Sequence, residues 1–217
     1  MDTLIQWNCR GLRANFDELN VLISEYQPMA ICLQETLLPE NHSLTPRNYT
    51  ILAATTPHGT SRPCGGVAIM VKNKIHHSNI SLNTDLQAVA VRITAQTPLT
   101  VCSLYLPPSC GWNHNDLLKL ADQLPTPAII MGDFNAHSSM WGDAHNDQKG
   151  DQVETFLLRS NLCLMNNKTA TYLHPATGTY SSIDLSICHP NVFLDYSWEV
   201  HDDLCGSDHF PIFIKVQ

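Results

Sequence analysis

Short apolar runs recur from one end of the chain to the other, separated by glycine, proline, asparagine and charged residues. They read TLIQWNC (3–9), MAICLQE (29–35), YTILAA (49–54), GVAIMVK (66–72), IHHSNISL (75–82) and LQAVAVRIT (86–94). The series continues with LTVCSLYL (99–106), PAIIMGD (127–133), LCLMN (162–166), IDLSIC (183–188) and FPIFIKV (210–216). Length, valine and isoleucine content and punctuation mark these as strands. Several are apolar without alternation, as in strands covered on both faces. Three segments carry apolar residues three and four apart instead. Phe16, Leu19, Leu22, Ile23 and Tyr26 make a stripe in 15–26, Leu117, Leu118, Ala121 and Leu124 in 115–124, and Val153, Phe156 and Leu157 in 150–161. Three helices among about a dozen strands predict an α+β sandwich, two packed sheets with helices outside. Repeats, low-complexity tracts and linkers are missing, so residues 1–217 are expected to form a single domain.

Composition narrows the class. With 43% hydrophobic residues in 217 the chain can bury a substantial core. No stretch approaches the roughly 18–20 apolar residues that span a bilayer, and the start, MDTLIQWNCRG, lacks a secretory pattern. A soluble, unsecreted, intracellular protein with no membrane partner is expected. Cys9, Cys32, Cys102, Cys163 and Cys188 sit in apolar runs where a thiol acts as a small hydrophobe, and no CxxC or zinc-finger spacing occurs. Reduced thiols and no structural zinc follow. A net charge of −8 disfavours binding through a broad basic surface, yet suits carboxylates gathered around a divalent cation.

The polar residues that end these runs carry the chemistry. Asn8, Glu35, Tyr105, Asp133 with Asn135, Asp184, and Asp208 with His209 each terminate or follow an apolar segment. Singly, each has an ordinary explanation as a turn, a cap or a ring with its hydroxyl at the surface. Together they form a set of carboxylates, amides, one phenol and one imidazole, without a nucleophilic serine or cysteine elbow. Hard oxygen ligands suit Mg²⁺ or Mn²⁺, and a histidine beside an aspartate can be held ready to bind phosphate. Metal-assisted phosphoester hydrolysis is the reaction this set predicts.

The motifs QWNCRG (6–11), LQET (33–36), LYLPP (104–108), GDFNAH (132–137), SSIDL (181–185) and GSDHFPI (206–212) stand in the order of the endonuclease/exonuclease/phosphatase family. Deoxyribonuclease I and the abasic-site endonucleases belong to that family. NCRGL, GDFNAHSSMWGD and GSDHFPI most resemble the endonuclease of LINE-type (non-LTR) retrotransposons of the jockey-like branch. The resemblance implies a four-layer α/β/β/α sandwich of the deoxyribonuclease I-like type, with its site at the sheets' upper edge. It implies a Mg²⁺ ion, replaceable by Mn²⁺, held by Glu35 with Asn8 and Asp208 close by. Asp133 is expected to orient or deprotonate the attacking water, with Asn135 fixing it. Tyr105 and His209 are expected to hold the scissile phosphate, with Asp184 orienting His209. The implied activity is nicking of one DNA strand to leave a 3′ hydroxyl that primes reverse transcription. Implied partners are double-stranded DNA, a reverse transcriptase domain of the same polyprotein and, through it, the element RNA. Nuclear action after cytoplasmic translation, and a monomeric isolated domain, complete the expectation. The chain ends soon after its last strand-like run and has no polymerase motif, as an excised domain or a product lacking its partner would.

Within GDFNAH, strand alternation predicts Asp133 and Asn135 on one side and Phe134 in the core. His137 reads as a loop or DNA-contact residue, structural rather than catalytic, and Trp141 as packing beneath the loop. Two departures stand out. Arg10 occupies a place where abasic-site enzymes carry an acid, and Ser182 one that is often basic. The segment YLHPATGTYSS (172–182) corresponds to a hairpin that reaches DNA in retrotransposon endonucleases. It has no arginine or lysine, which predicts readout of groove shape rather than of base edges and weak binding by the domain alone. HGTSRPCGG (58–66) is a second candidate loop. Arg10, Thr171, His174, Thr177 and Ser207 are the candidate DNA contacts. Alternatives are an abasic-site endonuclease, a phosphatase of lipid head groups, and a non-catalytic domesticated binding module. No polybasic or lipid-facing segment favours the second, and the intact polar set opposes the third.

Overall fold

Strand residues of one parity face the space between two sheets, and those of the other parity face outer helices. The computed structural model describes residues 3–39, 41–54, 65–94 and 97–217. In chain order it begins with β1 (Thr3–Asn8), α1 (Phe16–Tyr26), β2 (Ala30–Gln34), β3 (Tyr49–Ala54) and β4 (Val67–Lys72). There follow β5 (His76–Ile80), β6 (Gln87–Thr94), β7 (Pro98–Tyr105), α2 (His114–Ala121) and β8 (Ala128–Asp133). Next come α3 (Gln148–Arg159), β9 (Cys163–Leu164), β10 (Tyr172–Leu173), β11 (Tyr180–Ser181) and β12 (Asp184–Cys188). The chain closes with α4 (Pro190–Phe193), β13 (Tyr196–Val200) and β14 (Ile212–Val216). One six-stranded sheet has the order β13-β14-β1-β2-β4-β3, the other β5-β6-β7-β8-β12-β9, and β10 and β11 form a separate hairpin. Both sheets are mixed, with β1–β2 and β7–β8 as parallel pairs.

Three apolar layers hold four structural layers together. Leu4, Cys32, Ile69, Val91, Val101, Ile129, Met131 and Ile214 fill the space between the sheets. On one outside face Leu19, Leu22 and Ile23 of α1 cover Trp7, Ile31 and Leu33. On the other, Leu117, Leu120, Val153 and Phe156 of α2 and α3 cover Leu104, Ile130 and Leu185. Each fully buried side chain of this size contributes roughly 1.5–3 kcal/mol. This is the α/β/β/α sandwich that the residues predicted. Two helices have side-chain caps: Asn113 and Asp116 form a capping box on α2, and Asp147 caps α3.

The space between the sheets also contains polar side chains at the same strand parity. Gln6 donates to the Gly132 carbonyl at 2.9 Å and accepts from Ser186 Oγ at 3.0 Å, while Trp198 Nε1 donates to that same hydroxyl at 3.0 Å. Gln34 donates to Ser103 Oγ at 2.9 Å. These bonds cross from one sheet to the other and fix their relative placement, because a shift would strand buried amides.

Two elements were not predicted: the single-turn α4, and β13, an edge strand whose Ser197 and Glu199 dilute the apolar signal. LCLMN forms only the two-residue β9. Seven of the eight cysteines are described and all seven are free thiols. Of the candidate loop 58–66, residues 58–64 lie outside the described residues.

Gly132 precedes the Asp133 rung of β8, and a Cβ there would lie 2.0 Å from the Leu104 carbonyl oxygen of β7. That neighbour is backbone in a parallel pair and cannot turn aside. Gly132→Ala is expected to lower stability by about 1–3 kcal/mol or more, read as a fall in the denaturant midpoint.

Candidate active site

The polar set is the last rung of the inter-sheet rows. In β1 the row runs Leu4, Gln6, Asn8; in β7 Leu99, Val101, Ser103, Tyr105; in β8 Ile129, Met131, Asp133. Register places Tyr105 opposite Asp133, and Asp133 opposite Asp184. Apolar residues along each row build the core, and the terminal member of the same row faces the mouth of the cleft.

Asn8 connects the two sheets there. Its Nδ2 donates to Glu35 Oε1 at 3.1 Å and to Asp133 Oδ2 at 2.9 Å, and its Oδ1 accepts from the Arg10 backbone N–H at 3.1 Å. Tyr105 donates its hydroxyl to Glu35 Oε1 at 2.9 Å. Across the cleft His209 Nδ1 lies 2.8 Å from Asp184 Oδ2, which also accepts from Thr171 Oγ1 at 2.7 Å. His209 Nε2 is 3.9 Å from Asp133 Oδ2, too far for a hydrogen bond, so the two groups face the cleft side by side. Glu35, Asp133, Asn135, Tyr172, Asp208 and His209 are among the residues lining a cleft of about 380 Å³. Asp133 is only 1% exposed and forms its floor. A larger hollow of about 540 Å³ on the far side of Tyr105, beside Trp112 and α2, shares no other member of the set.

Burial and charge set the protonation of this cluster. Burial pushes the Asp133 carboxyl up to about 7, against the lowering pull of His209. Burial lowers His209, but the Asp184 charge and hydrogen bond, with Asp133 and Asp208 adding, outweigh it and raise the imidazole to about 9. Burial, then the Glu35 charge, raises the Tyr105 hydroxyl, so it stays a donor. Arg10, Glu35 and Asn135 all have left-handed backbones, with φ of 45°, 47° and 46°. Strained residues of this kind persist where the surroundings over-determine them.

Oxygen donors dominate the site, and Asp184 Oδ1 is buried without a hydrogen-bond partner, so the donor set fits a hard divalent cation. Donor atoms of Asp133, Asp184 and His209 lie within 4.8 Å of one another and can hold an ion. Asp184 Oδ2 and His209 Nδ1 already satisfy each other, however. The predicted ligands divide. Glu35 is half-buried with one carboxylate oxygen facing Asn8 and Tyr105. Asn8 turns its N–H₂ group to the carboxylates and its oxygen to the Arg10 N–H. Asp208 lies 2.9 Å from the Arg10 guanidinium, which offsets its charge.

Other expectations are corrected by burial. Thr171 is fully buried under Asp184 and cannot reach DNA; it is a positioning residue. Ser207, half-buried, gives its hydroxyl to the Asn8 carbonyl at 2.7 Å and braces Asn8. Asn135 lies past the end of β8, so strand alternation does not aim it; its left-handed turn and a bond to the Leu106 carbonyl do. Phe134 and Trp141 are fully buried, as predicted. Arg10 and His174 line the cleft, and Thr177 lies exposed in the β10–β11 hairpin. Sequence reading did not single out Tyr172, whose ring packs 4.7 Å from His209, or Asp143. Tyr172 was legible only as the first residue of YLHPATGTYSS.

This architecture is that of the deoxyribonuclease I-like sandwiches. The endonuclease domain of TRAS1, a telomere-specific non-LTR retrotransposon, superposes with a TM-score of 0.81 at 21% identity, covering 100% of this chain and 99% of that one. An AP endonuclease from Archaeoglobus fulgidus gives 0.77 at 15%, covering 100% of both. Residues 99–213, more than half of the chain, match the model of the endonuclease-reverse transcriptase family, and the chain belongs to that family. It is 26% identical over 211 residues to the RNA-directed DNA polymerase from mobile element jockey of Drosophila melanogaster, and 29% over 211 to that of Drosophila funebris. Each alignment covers 95% of this chain and 23% of the relative, so the chain spans about a quarter of their length.

The folded pKa of His209 is raised, so its stabilising contribution is complete below 6.5 and is lost as pH rises through about 9. In the metal-free protein, Asp184→Asn is expected to bring the imidazole back toward 6.5, read by NMR titration, and to flatten the loss of thermal stability across that window.

Proposed function

We propose that this chain is a divalent-metal-dependent endonuclease that nicks one strand of DNA and leaves a 3′ hydroxyl. One observation carries this reading: Asn8 bridges carboxylates from opposite sheets, and a His–Asp pair stands 3.9 Å from one of them in the same cleft. Glu35 would hold the cation, Mg²⁺ or Mn²⁺, whose chemistry is to polarise a phosphoryl oxygen and stabilise the leaving oxyanion.

The chain's own groups account for the rest. Asp133, raised to about 7, is poised to take a proton from a water at neutral pH, because a base works best when its pKa lies near the working pH. Asn135 gives its backbone N–H to Asp133 Oδ1 at 2.9 Å and fixes that carboxylate while its side chain borders the water's position. His209, raised to about 9 and held by Asp184, presents a charged N–H to the phosphate. Tyr105 reaches the same oxygens from the opposite wall. Arg10, exposed at the mouth of the cleft, adds a permanent positive charge where the phosphodiester enters. The exposed hairpin around His174 and Thr177 would follow the groove of double-stranded DNA.

The jockey relatives are RNA-directed DNA polymerases, which supports a linked reverse transcriptase domain that extends the 3′ hydroxyl on the element RNA. Action at nuclear DNA follows from that role. With a net charge of −8, the isolated domain would bind DNA weakly and owe its targeting to the remainder of a polyprotein.

Supercoiled plasmid is expected to relax to open circles with Mg²⁺ and to stay closed with chelator. Asp133→Ala and His209→Ala are each expected to slow the reaction about a hundredfold or more. Full activity in both variants would overturn the site. Extension of the nicked product by an added polymerase reads the 3′ hydroxyl. Glu35→Gln is expected to raise the Mg²⁺ concentration for half-maximal rate; an unchanged requirement would remove Glu35 as the ligand.

A further inference from the structure

His137, the last residue of GDFNAH, lines the same cleft as His209 and is built into it in the same manner. Its Nδ1 lies 3.2 Å from Asp143 Oδ2, and the Asp143 side chain is 3% exposed. Asp143 Oδ1 accepts from the Ser182 backbone N–H at 2.8 Å, much as Asp184 accepts from Thr171. His137 Nδ1 and Asp143 Oδ2 are shut off from water and make no hydrogen bond, so what joins them is the ion-pair contact. The backbone is equally fixed: the His137 N–H donates to the Asp147 carboxylate at 3.1 Å, and the carbonyl accepts from the Asp147 N–H at 3.0 Å. A Cβ on Gly150 would lie 1.9 Å from that carbonyl, so α3 begins tight against this residue. On its remaining flank the ring stacks on His145, with centroids 4.7 Å apart. A loop histidine with no task would not need a buried carboxylate, a ring stack and a pinned backbone.

We propose that His137, paired with Asp143, is a second imidazolium of the cleft and holds a DNA phosphate adjoining the scissile one. The proposal rests on the reading of the cleft as a DNA-nicking site and adds a substrate contact to it. Asp143 raises the His137 pKa from 6.5 over the lowering effect of burial, and the charges of Asp147 and Asp133 add to it. The other titratable groups facing it are the Asp147 carboxylate on its backbone N–H and His145, stacked on the ring. Phosphate contacts at two imidazolium groups would fix register along the strand without reading sequence. They would also let an acidic protein engage DNA at points, without a basic face.

The test compares wild type, His137→Asn, His137→Arg and Asp143→Asn for binding of a short labelled duplex, with Ca²⁺ to suppress cleavage, between about pH 6 and pH 9. Thermal midpoints confirm that each variant folds. Wild-type affinity is expected to fall as pH rises, and His137→Asn to lose roughly fivefold to tenfold at the acid end, with a salt slope shallower by about 0.9. His137→Arg should keep the affinity and slope at alkaline pH, and Asp143→Asn should move the fall to lower pH. His209 remains charged to about 9, so the difference between wild type and His137→Asn isolates His137. A folded His137→Asn protein with the wild-type pH profile and salt slope overturns the proposal and leaves the nicking site standing. A wild-type protein that fails to nick plasmid overturns the site and this contact together.

Discussion

One side-chain amide, that of Asn8, holds two carboxylates from two sheets at hydrogen-bond distance across the top of the sandwich. Without it Glu35 and Asp133 would repel through a poorly solvated gap. The amide donates to both, and its own oxygen is fixed by the Arg10 N–H, so it cannot turn round. Everything chemical in the cleft is measured from this bridge: the reach of Tyr105 to Glu35, the distance from Asp133 to His209, and the strained turns at Arg10 and Glu35. The amide can bridge only because the sheets are themselves pinned, by Gln6 to Gly132 and by Gln34 to Ser103 in the layer beneath. Polar groups inside a core are costly unless partnered, and here the Gln6 and Gln34 N–H₂ groups set the sheet-to-sheet registration, although Gln34 Oε1 is left without a partner.

The site holds a desolvated carboxylate and a charged imidazole in one small volume. Burial drives Asp133 toward the neutral acid, while Asp184 drives His209 toward the cation. The two environments push their proton affinities to useful values near neutral pH, the pattern by which acid and base roles separate in one cleft. Positioning groups behind them, Thr171 under Asp184 and Ser207 under Asn8, spend their hydroxyls inward. Thr171 is sealed from solvent and Ser207 half-buried, and their contribution is to keep the facing groups from relaxing apart.

The basic groups of the cleft are few, and three of them lie against carboxylates: Arg10 against Asp208, His209 against Asp184, His137 against Asp143. Such pairs contribute little to stability where they are exposed. They fix geometry, so the phosphate contacts proposed above would be made by groups already in place. Affinity spread over a few fixed points would be modest and salt-sensitive.

The sequence by itself determined the strand runs, the three long helices, the sandwich class and the candidate set at the strand ends. The reason is local: parity along LIQWN or IIMGD decides which side chains face the other sheet, and a polar residue ending such a row must lie at an edge. Motif order added the family. Only the tertiary structure decided what each group does there. Thr171 and Ser207, polar and close to the motifs, proved to be bonded inward. Asn8, read as a possible ligand, showed its nitrogen to the carboxylates. Asn135 had left the strand whose alternation was meant to aim it. Asp143, far from any strand end, acquired a partner in His137. Hydrogen-bond direction, burial and pairing depend on residues brought together from distant parts of the chain, and no local period encodes them.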